Sequence, residues 1–491
     1  VSAPRLDDVV VGAGPNGLAA AVTLARAGRR VLLVEAADRT GGGLRSDELT
    51  ASGFRHDWCA TVHAMGRASP FLRSVDLAAR GVDLLAPEVP LAHPLDGGRV
   101  AVLEREVAAT AAGLGRDGAA YRRLVGPLAR RAQELVEAVV GPPPFMPHLP
   151  RHLAVLTAFA ARGAWPTTVL GRSLFRGQLA PALLGGLGAH AVRPLERPPT
   201  AAVGLLLGAL AHAHGWPFVR GGSQNLADAL VAEFTALGGD VLTGHRVDDV
   251  DRLPAAEHVL LDLTPRQVLA VAGHRFPARY RSRLARYRYG AGVFKIDWAL
   301  DGPVPWTAER VARAGTVHLG GTLEEVAAAE RDVARGRVPH RPFVLLAQAT
   351  VVDRSRAPAG GHTLWGYCHV PHGCTVDMTA AVESQIERFA PGFRDRVLAR
   401  RSHGPRDMER HDANYVGGDI GGGAQDLRQL FTRPVARYPP YSTPDPAIWM
   451  CSSSTPPGGG VHGMCGASAA DAVLRRVPGR TAAGHPRRPP V

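Results

Sequence analysis

Three glycines and one acid near the start of the chain have the spacing of a dinucleotide site. Gly12, Gly14 and Gly17 form a GxGxxG run, with Pro15 and Asn16 inside it, and Glu35 follows 18 residues after the last glycine. Each residue type answers a physical need. Gly12 allows a tight strand-to-helix turn, Gly14 lets backbone approach a pyrophosphate, and Gly17 lets a helix pack closely on a strand. A helix starting at Asn16 aims unpaired N–H groups and a partial positive charge at the phosphates. Glu35, with Ala36 beside it, is placed to accept hydrogen bonds from both hydroxyls of an adenosine ribose, and it repels a 2′-phosphate, so NADP is disfavoured.

The elements around these residues support that reading. Asp8–Val11 is a β-branched run suited to a buried parallel strand, Leu18–Ala27 is an Ala/Leu-rich helix closed by Gly28, and Val31–Val34 is a second strand. That is one complete βαβ unit. A second GxGxxG, Gly113 to Gly118, follows a helical pattern over Glu104 to Gly113 and has no βαβ unit around it, so it is set aside. Further helices are expected over Arg116–Val140, Leu226–Leu237, Thr322–Arg335 and Gly466–Val477, and strands over Val259–Leu263, Gly292–Leu300 and Ala447–Cys451. Prolines break the chain between 142 and 150, and the Pro/Arg/Gly-rich tail from Pro478 reads as disordered.

Just past Glu35, Arg39-Thr40-Gly41-Gly42-Gly43-Leu44-Arg45-Ser46 makes a second glycine turn. It resembles the R-x-G-G-R-x-x-S/T motif of flavoproteins in the amine oxidase and phytoene desaturase superfamily, with one departure. Gly43 stands where the second arginine is usual, and Arg45 follows two residues later. The resemblance extends to Gly221–Leu226, to Tyr415–Ile420 and to Thr455–Gly463, and so over nearly the whole chain. It implies FAD as the cofactor, with Arg39 by the phosphates, the paired glycines close to the cofactor, Val247 near the adenine, and Asp419, Gly459, Gly460 and His462 in the segments that cover the flavin. No redox disulfide is implied: Cys59, Cys368, Cys374, Cys451 and Cys465 include no CxxC pair and are odd in number. Free thiols in a reducing compartment fit this pattern, and no metal site is expected.

In such an enzyme the flavin carries the chemistry and the protein orients the substrate against it. No Ser-His-Asp, HExxH or paired-carboxylate signature competes with that reading. Two residues are candidates for a catalytic role. Lys295 alternates with Asp297 on one face of a strand whose other face carries Phe294, Ile296 and Trp298. Amine oxidases place a lysine near the flavin, and the alternative is a structural lysine, at the surface or paired with Asp297. His63, after Gly53-Phe54-Arg55-His56-Asp57, is placed to shape the substrate side, or to serve as a hydrogen-bonded structural histidine. The apolar stretch from 145 to 216, with Phe145, Met146, Trp165, Phe175 and Trp216, suits a greasy tunnel, a membrane-facing lid or an ordinary helical core.

The chain has 491 residues, 45% of them hydrophobic and 21% charged, which excludes a disordered protein. Lysine and arginine total 57 against 44 acids, a formal charge of +13, yet Lys295 is the one lysine. Arginines scattered among acids reflect genome composition and are no nucleic-acid footprint. Attraction to an anionic membrane surface fits this charge better. The expected partners are a small apolar substrate, a second copy of the chain in a homodimer, and a membrane at the periphery, with no nucleic acid. With no signal segment before Asp7 and no apolar run long enough to span a bilayer, a cytoplasmic or membrane-associated protein is expected.

The fold class is therefore α/β: a discontinuous Rossmann-like FAD-binding domain with a parallel sheet, and an inserted α+β substrate or cap domain. The expected division gives 1–80, 217–275 and 405–477 to the FAD domain, 81–216 and 276–404 to the substrate domain, and 478–491 to the tail. The expected activity is removal of hydride from a C–H bond of a carotenoid- or lipid-like substrate. A flavin-dependent polyene isomerase and a non-catalytic FAD-binding interaction protein are the alternatives.

Overall fold

The computed structural model describes residues 6–141 and 152–476. Phe145, Met146 and the tail from Pro478 lie outside the described residues.

Five short parallel strands form the first sheet, in the order Ile448–Met450, His258–Leu261, Asp8–Val11, Val31–Val34, Asp240–Leu242. Helices cover both faces, which is why the central strands read as unbroken apolar runs. The helices Pro15–Arg26, Gln224–Ala236 and Met464–Leu474 bury Leu18, Leu24, Phe234 and Val473 on one side. The helices Pro265–Ala272 and Ala278–Ala285 bury Val268 and Leu284 on the other.

The second sheet has seven strands, in the order Val397–His403, Gly292–Leu300, His362–Val370, Val344–Ala347, Ala314–Leu319, Val89–Pro94, Val100–Leu103. It is antiparallel except where Ala314–Leu319 meets Val89–Pro94. Phe294, Ile296 and Trp298 face the helix Thr379–Phe389, packing with Val382, Ile386 and Phe389. The strand's alternation then places Val293, Lys295 and Asp297 on the opposite face. Helices drawn from residues 118 to 214 share a further apolar core that includes Leu128, Leu135, Phe159, Leu183 and Leu205. No single helix among the described residues is long and apolar enough to cross a membrane.

Most element ends fall within three residues of those expected, and three helices show how the chain decides them. The helix expected from Glu104 starts at Val107, because Glu106 is extended, with φ −84° and ψ +126°; the Glu104 N–H donates to the Thr110 hydroxyl at 2.8 Å. The helix expected over Arg116–Val140 is interrupted at Arg131, whose φ of −116° and ψ of +27° separate Gly118–Arg130 from Ala132–Val140. The last helix runs Met464–Leu474, not Gly466–Val477. The second GxGxxG joins the helices Val107–Gly113 and Gly118–Arg130 and follows no strand.

Candidate active site

A cavity of about 830 Å³ runs from the carboxyl ends of the parallel strands into the helical region. Ligands of open parallel sheets bind at this edge. At the nucleotide end it is lined by Gly12, Gly14, Pro15, Asn16, Glu35, Ala36, Gly42, Gly43, Arg45 and Val247. Further in, Asp419, Gly459, Gly460, His462 and His63 form the wall.

Two of the three glycines have conformational or packing demands. Gly12 has a φ of +98°, which disfavours side chains. A Cβ on Gly17 would overlap the Gly12 carbonyl, so this position sets how closely helix meets strand. Gly17 is structural and does not line the cavity. Glu35 accepts the Ala13 N–H at 2.7 Å on one oxygen and the Ala37 N–H at 2.9 Å on the other. Each oxygen keeps a lone pair for a ribose hydroxyl. Asn16 Oδ1 is buried with no partner among the described residues, an acceptor left open at the helix start.

The second glycine turn divides its roles. The Gly41 N–H bonds the Ala13 carbonyl at 2.8 Å, tying the two glycine turns together from behind, so Gly41 supports the wall without lining it. Arg39, expected by the phosphates, instead pairs with Asp47 at 2.7 Å and stays outside the cavity. Its nearest acid lies on the solvent side, with Asp47 38% exposed. The departure at Gly43 has a steric cause: a Cβ there would overlap the Tyr415 hydroxyl. Arg45 lines the cavity and gives hydrogen bonds to the carbonyls of His411 (2.7 Å) and Gly42 (3.2 Å).

Sequence reasoning missed Asp262. It ends the strand His258–Leu261 as Glu35 ends its own strand, and that position was the available signal. Its carboxylate accepts the Gly17 N–H at 2.8 Å. Burial, with Asp412 and Glu35 nearby, pushes its pKa up to about 8.

His462 is buried and both its ring nitrogens are used. Nδ1 accepts the Met464 N–H at 3.0 Å, so Nε2 carries the proton and gives it to the Gly458 carbonyl at 3.1 Å. It shapes the glycine-rich segment and has no nitrogen left for proton transfer. His63 differs. Ser223 Oγ donates to the Ala60 carbonyl at 2.7 Å and therefore accepts from His63 Nε2 at 2.8 Å. His63 Nδ1 is left as a lone pair with no partner among the described residues. Burial holds this ring at about 4, so it is neutral at pH 7.

Lys295 does not reach the cavity. Its ammonium is buried in an ion pair with Asp297, which has His56 Nδ1 at 3.5 Å and His403 Nε2 at 3.9 Å. The pair is what alternation on one buried strand face requires, because neither charge has water to turn to. Burial and the ammonium hold His56 and His403 at about 3. Lys295→Met is expected to destabilise the protein by about 3–5 kcal/mol, the usual result of stranding one buried charge. Lys295→Met/Asp297→Leu should recover much of that loss. Thermal melting of the two variants checks this, and an unchanged melting point for the single variant would rule out the pair as a stabilising unit.

The histidines set the acid limit of the fold. His56, His63, His93, His190, His403, His411 and His462 sit at about 3 to 4, with burial the largest cause in each. In the unfolded chain they titrate near 6.5, so between pH 6.5 and 4 the unfolded state binds more protons and stability falls with pH. Asp297, at about 6, and Asp262, at about 8, act the other way, their contribution fading as pH rises through those values. Asp412 and Asp419 are raised by burial as well, but His212, His214, His318 and His362 join the lowered histidines, which outnumber the raised carboxyls, so the melting temperature should be lower at pH 5 than at pH 7.5. Equal melting at the two values would contradict this account.

All five cysteines are free thiols. Cys59 lines the cavity, but burial pushes it up to about 11, so it is no thiolate at neutral pH.

Comparison with known proteins agrees with this geometry. Residues 10–75 match the NAD(P)-binding Rossmann-like domain. The chain is 26% identical to pyridine nucleotide-disulfide oxidoreductase domain-containing protein 2 of Rattus norvegicus, over 96% of this chain and 94% of the relative. It is 28% identical to phytoene dehydrogenase of Streptomyces griseus, over 84% of this chain and 80% of that one. A solved putrescine oxidase has the same fold, with a TM-score of 0.61 at 17% identity, covering 96% of this chain and 99% of its own. The cradle of Gly12, Gly14, Asn16, Glu35 and Arg45 has the donors, acceptors and bare backbone that FAD needs. The chain is similar to pyridine nucleotide-disulfide oxidoreductase domain-containing protein 2 and to phytoene dehydrogenase over most of its length, it has the fold of the amine oxidases, and it is an FAD-dependent oxidoreductase.

Proposed function

We propose that this oxidoreductase removes hydride from a C–H bond of an apolar, lipid- or carotenoid-like substrate. One observation carries the reading. Beyond the nucleotide end the same cavity continues between helices and is walled by Val139, Val140, Phe159, Val203, Leu206 and Leu207. Such a wall favours an apolar ligand through burial, about 25 cal/mol for each Å² removed from water. The phytoene dehydrogenase named above acts, by its name, on a molecule of this class.

FAD, when bound, supplies the hydride acceptor. The residues assigned to hold it are Gly12, Gly14, Pro15, Asn16, Glu35, Ala36, Gly42, Gly43, Arg45, Val247, Asp419, Gly459 and Gly460, with Gly17, Gly41 and His462 shaping the cradle from behind or beside it. The chain's own part is to exclude water and orient the substrate. His63, neutral with its Nδ1 lone pair open, is assigned to accept a hydrogen bond from the bound ligand.

Anaerobic mixing of the flavin-loaded protein with polyenes, fatty acids and amines tests the substrate class. Bleaching of the visible flavin band by a polyene or a lipid is the expected result. Bleaching by amines alone would overturn the apolar assignment.

A further inference from the structure

The turn after the helix Leu179–Ala189 has features that cofactor binding leaves unexplained. His190, Ala191, Val192 and Arg193 are consecutive, and all four line the cavity. Val192 has a φ of +50°, the one positive value outside glycine among the described residues. A β-branched residue in that region is a steric outlier, and such backbone persists where the surroundings hold it for a purpose.

Here both flanking side chains are anchored. His190 Nε2 lies 3.0 Å from Nε2 of the buried His318, and Trp216 meets the His190 ring at 5.9 Å, edge to face. Arg193 Nη1 donates to the carbonyls of Gln425 (2.8 Å) and Pro198 (3.3 Å). The anchors fix where the two heads sit without using up their capacity.

Among the described residues the Arg193 guanidinium has no counter-ion. Its only partners among the described residues are those two carbonyls. The acid that influences it, Asp426, is already paired with Arg288 at 2.5 Å, and Arg197 and Arg288 add like charge. Other arginines of the cavity wall are satisfied: Arg246 pairs with Asp248, and Arg410 with Asp407. Arg45 is the other cavity arginine with no carboxylate partner among the described residues, and it belongs to the glycine turn at the nucleotide end, where the phosphates of bound FAD would supply the negative charge. Arg193 is held by different segments and calls for a different anion. Burial, helped by the neighbouring arginines, keeps its pKa below the usual arginine range, as expected of a cation short of a partner.

We infer that the turn His190–Arg193 is a head-group site that takes a carboxylate carried on an apolar body. Arg193 holds the charge through charge-assisted hydrogen bonds, and His190, whose Nε2 accepts the His318 Nε2–H in the tautomer that leaves the buried His318 Nδ1 as a lone pair, gives its Nδ1–H to the same group. The substrate would then be an amphiphilic acid and not a plain hydrocarbon. This rests on the reading of the cavity as an apolar-substrate pocket.

Calorimetric titration of the flavin-loaded protein with octanoate and with 1-octanol at pH 8 tests the site. The wild type should bind octanoate about tenfold more tightly than octanol, the effect of one charge-assisted contact. Arg193→Met should abolish that preference with octanol affinity and flavin content unchanged, and Arg193→Lys should keep most of it. Equal binding of the two probes by wild type, or a preference that survives Arg193→Met, overturns the head-group site and leaves the apolar pocket standing. Loss of flavin from Arg193→Met assigns Arg193 to the cofactor phosphates and also overturns it. If neither probe binds, the apolar pocket falls and the head-group site with it.

Discussion

Gly14→Val protein is expected to purify folded and colourless. The backbone at this position does not object to a side chain: φ is −73° and ψ 178°, ordinary extended values that suit a residue before proline. Space is the obstacle. A Cβ on Gly14 would lie 3.0 Å from Asp262 Oδ2, and from the other side Gly42 approaches so closely that its own Cβ would be 3.1 Å from the Gly14 Cα. The valine methyls must then push aside the carboxyl that holds the Gly17 N–H or project into the cavity where the pyrophosphate is to lie. Either outcome removes the close backbone approach on which phosphate binding at this turn depends. The absorbance ratio of visible flavin band to protein reads the result. A fully yellow variant would refute the placement of FAD at this turn.

The second large effect is expected at Gly466, far from the nucleotide in sequence. Gly466→Ala adds one methyl group in the helix Met464–Leu474, where intrinsic propensity favours alanine by about 1 kcal/mol. Packing opposes it. The new Cβ would overlap the backbone carbonyl oxygen of Asn16, with the Ala20 nitrogen at 2.9 Å. Overpacking against movable side chains costs about 1–3 kcal/mol, and here the obstacle is the backbone of a helix buried on several sides. A net loss of about 3 kcal/mol is therefore expected, seen as a lowered melting temperature. Because the displaced atom belongs to the first turn of the helix that faces the cofactor, flavin content should fall too. A melting point at or above that of wild type would show that the two helices can separate without cost.

The nucleotide fold was legible in the sequence because its determinants are local. One strand, one glycine turn, one helix and one acid follow within about 30 residues. Gly12 takes the positive φ and Gly17 the close helix–strand contact that this short path requires. The sharing of one face by Lys295 and Asp297 was legible for the same reason, since alternation in a strand is a property of neighbours.

What the chain does with those residues depended on partners brought together from far apart. Lys295 became half of an ion pair enclosed by His56 and His403, segments more than a hundred residues away on either side, and so was withdrawn from the cavity. Arg39 matched a motif, but an aspartate eight residues on held it outside. Gly43 stands in for an arginine because Tyr415 occupies the space. The free lone pair of His63 is set by Ser223, and the use of both nitrogens of His462 by the turn around it. The lack of a counter-ion for Arg193 among the described residues is visible only once Asp426, the acid that influences it, is seen to pair with Arg288. Spacing along the chain determines which groups can share a strand face or a turn. Desolvation then makes every buried charge and lone pair seek a partner, and only the tertiary structure decides which partner is within reach.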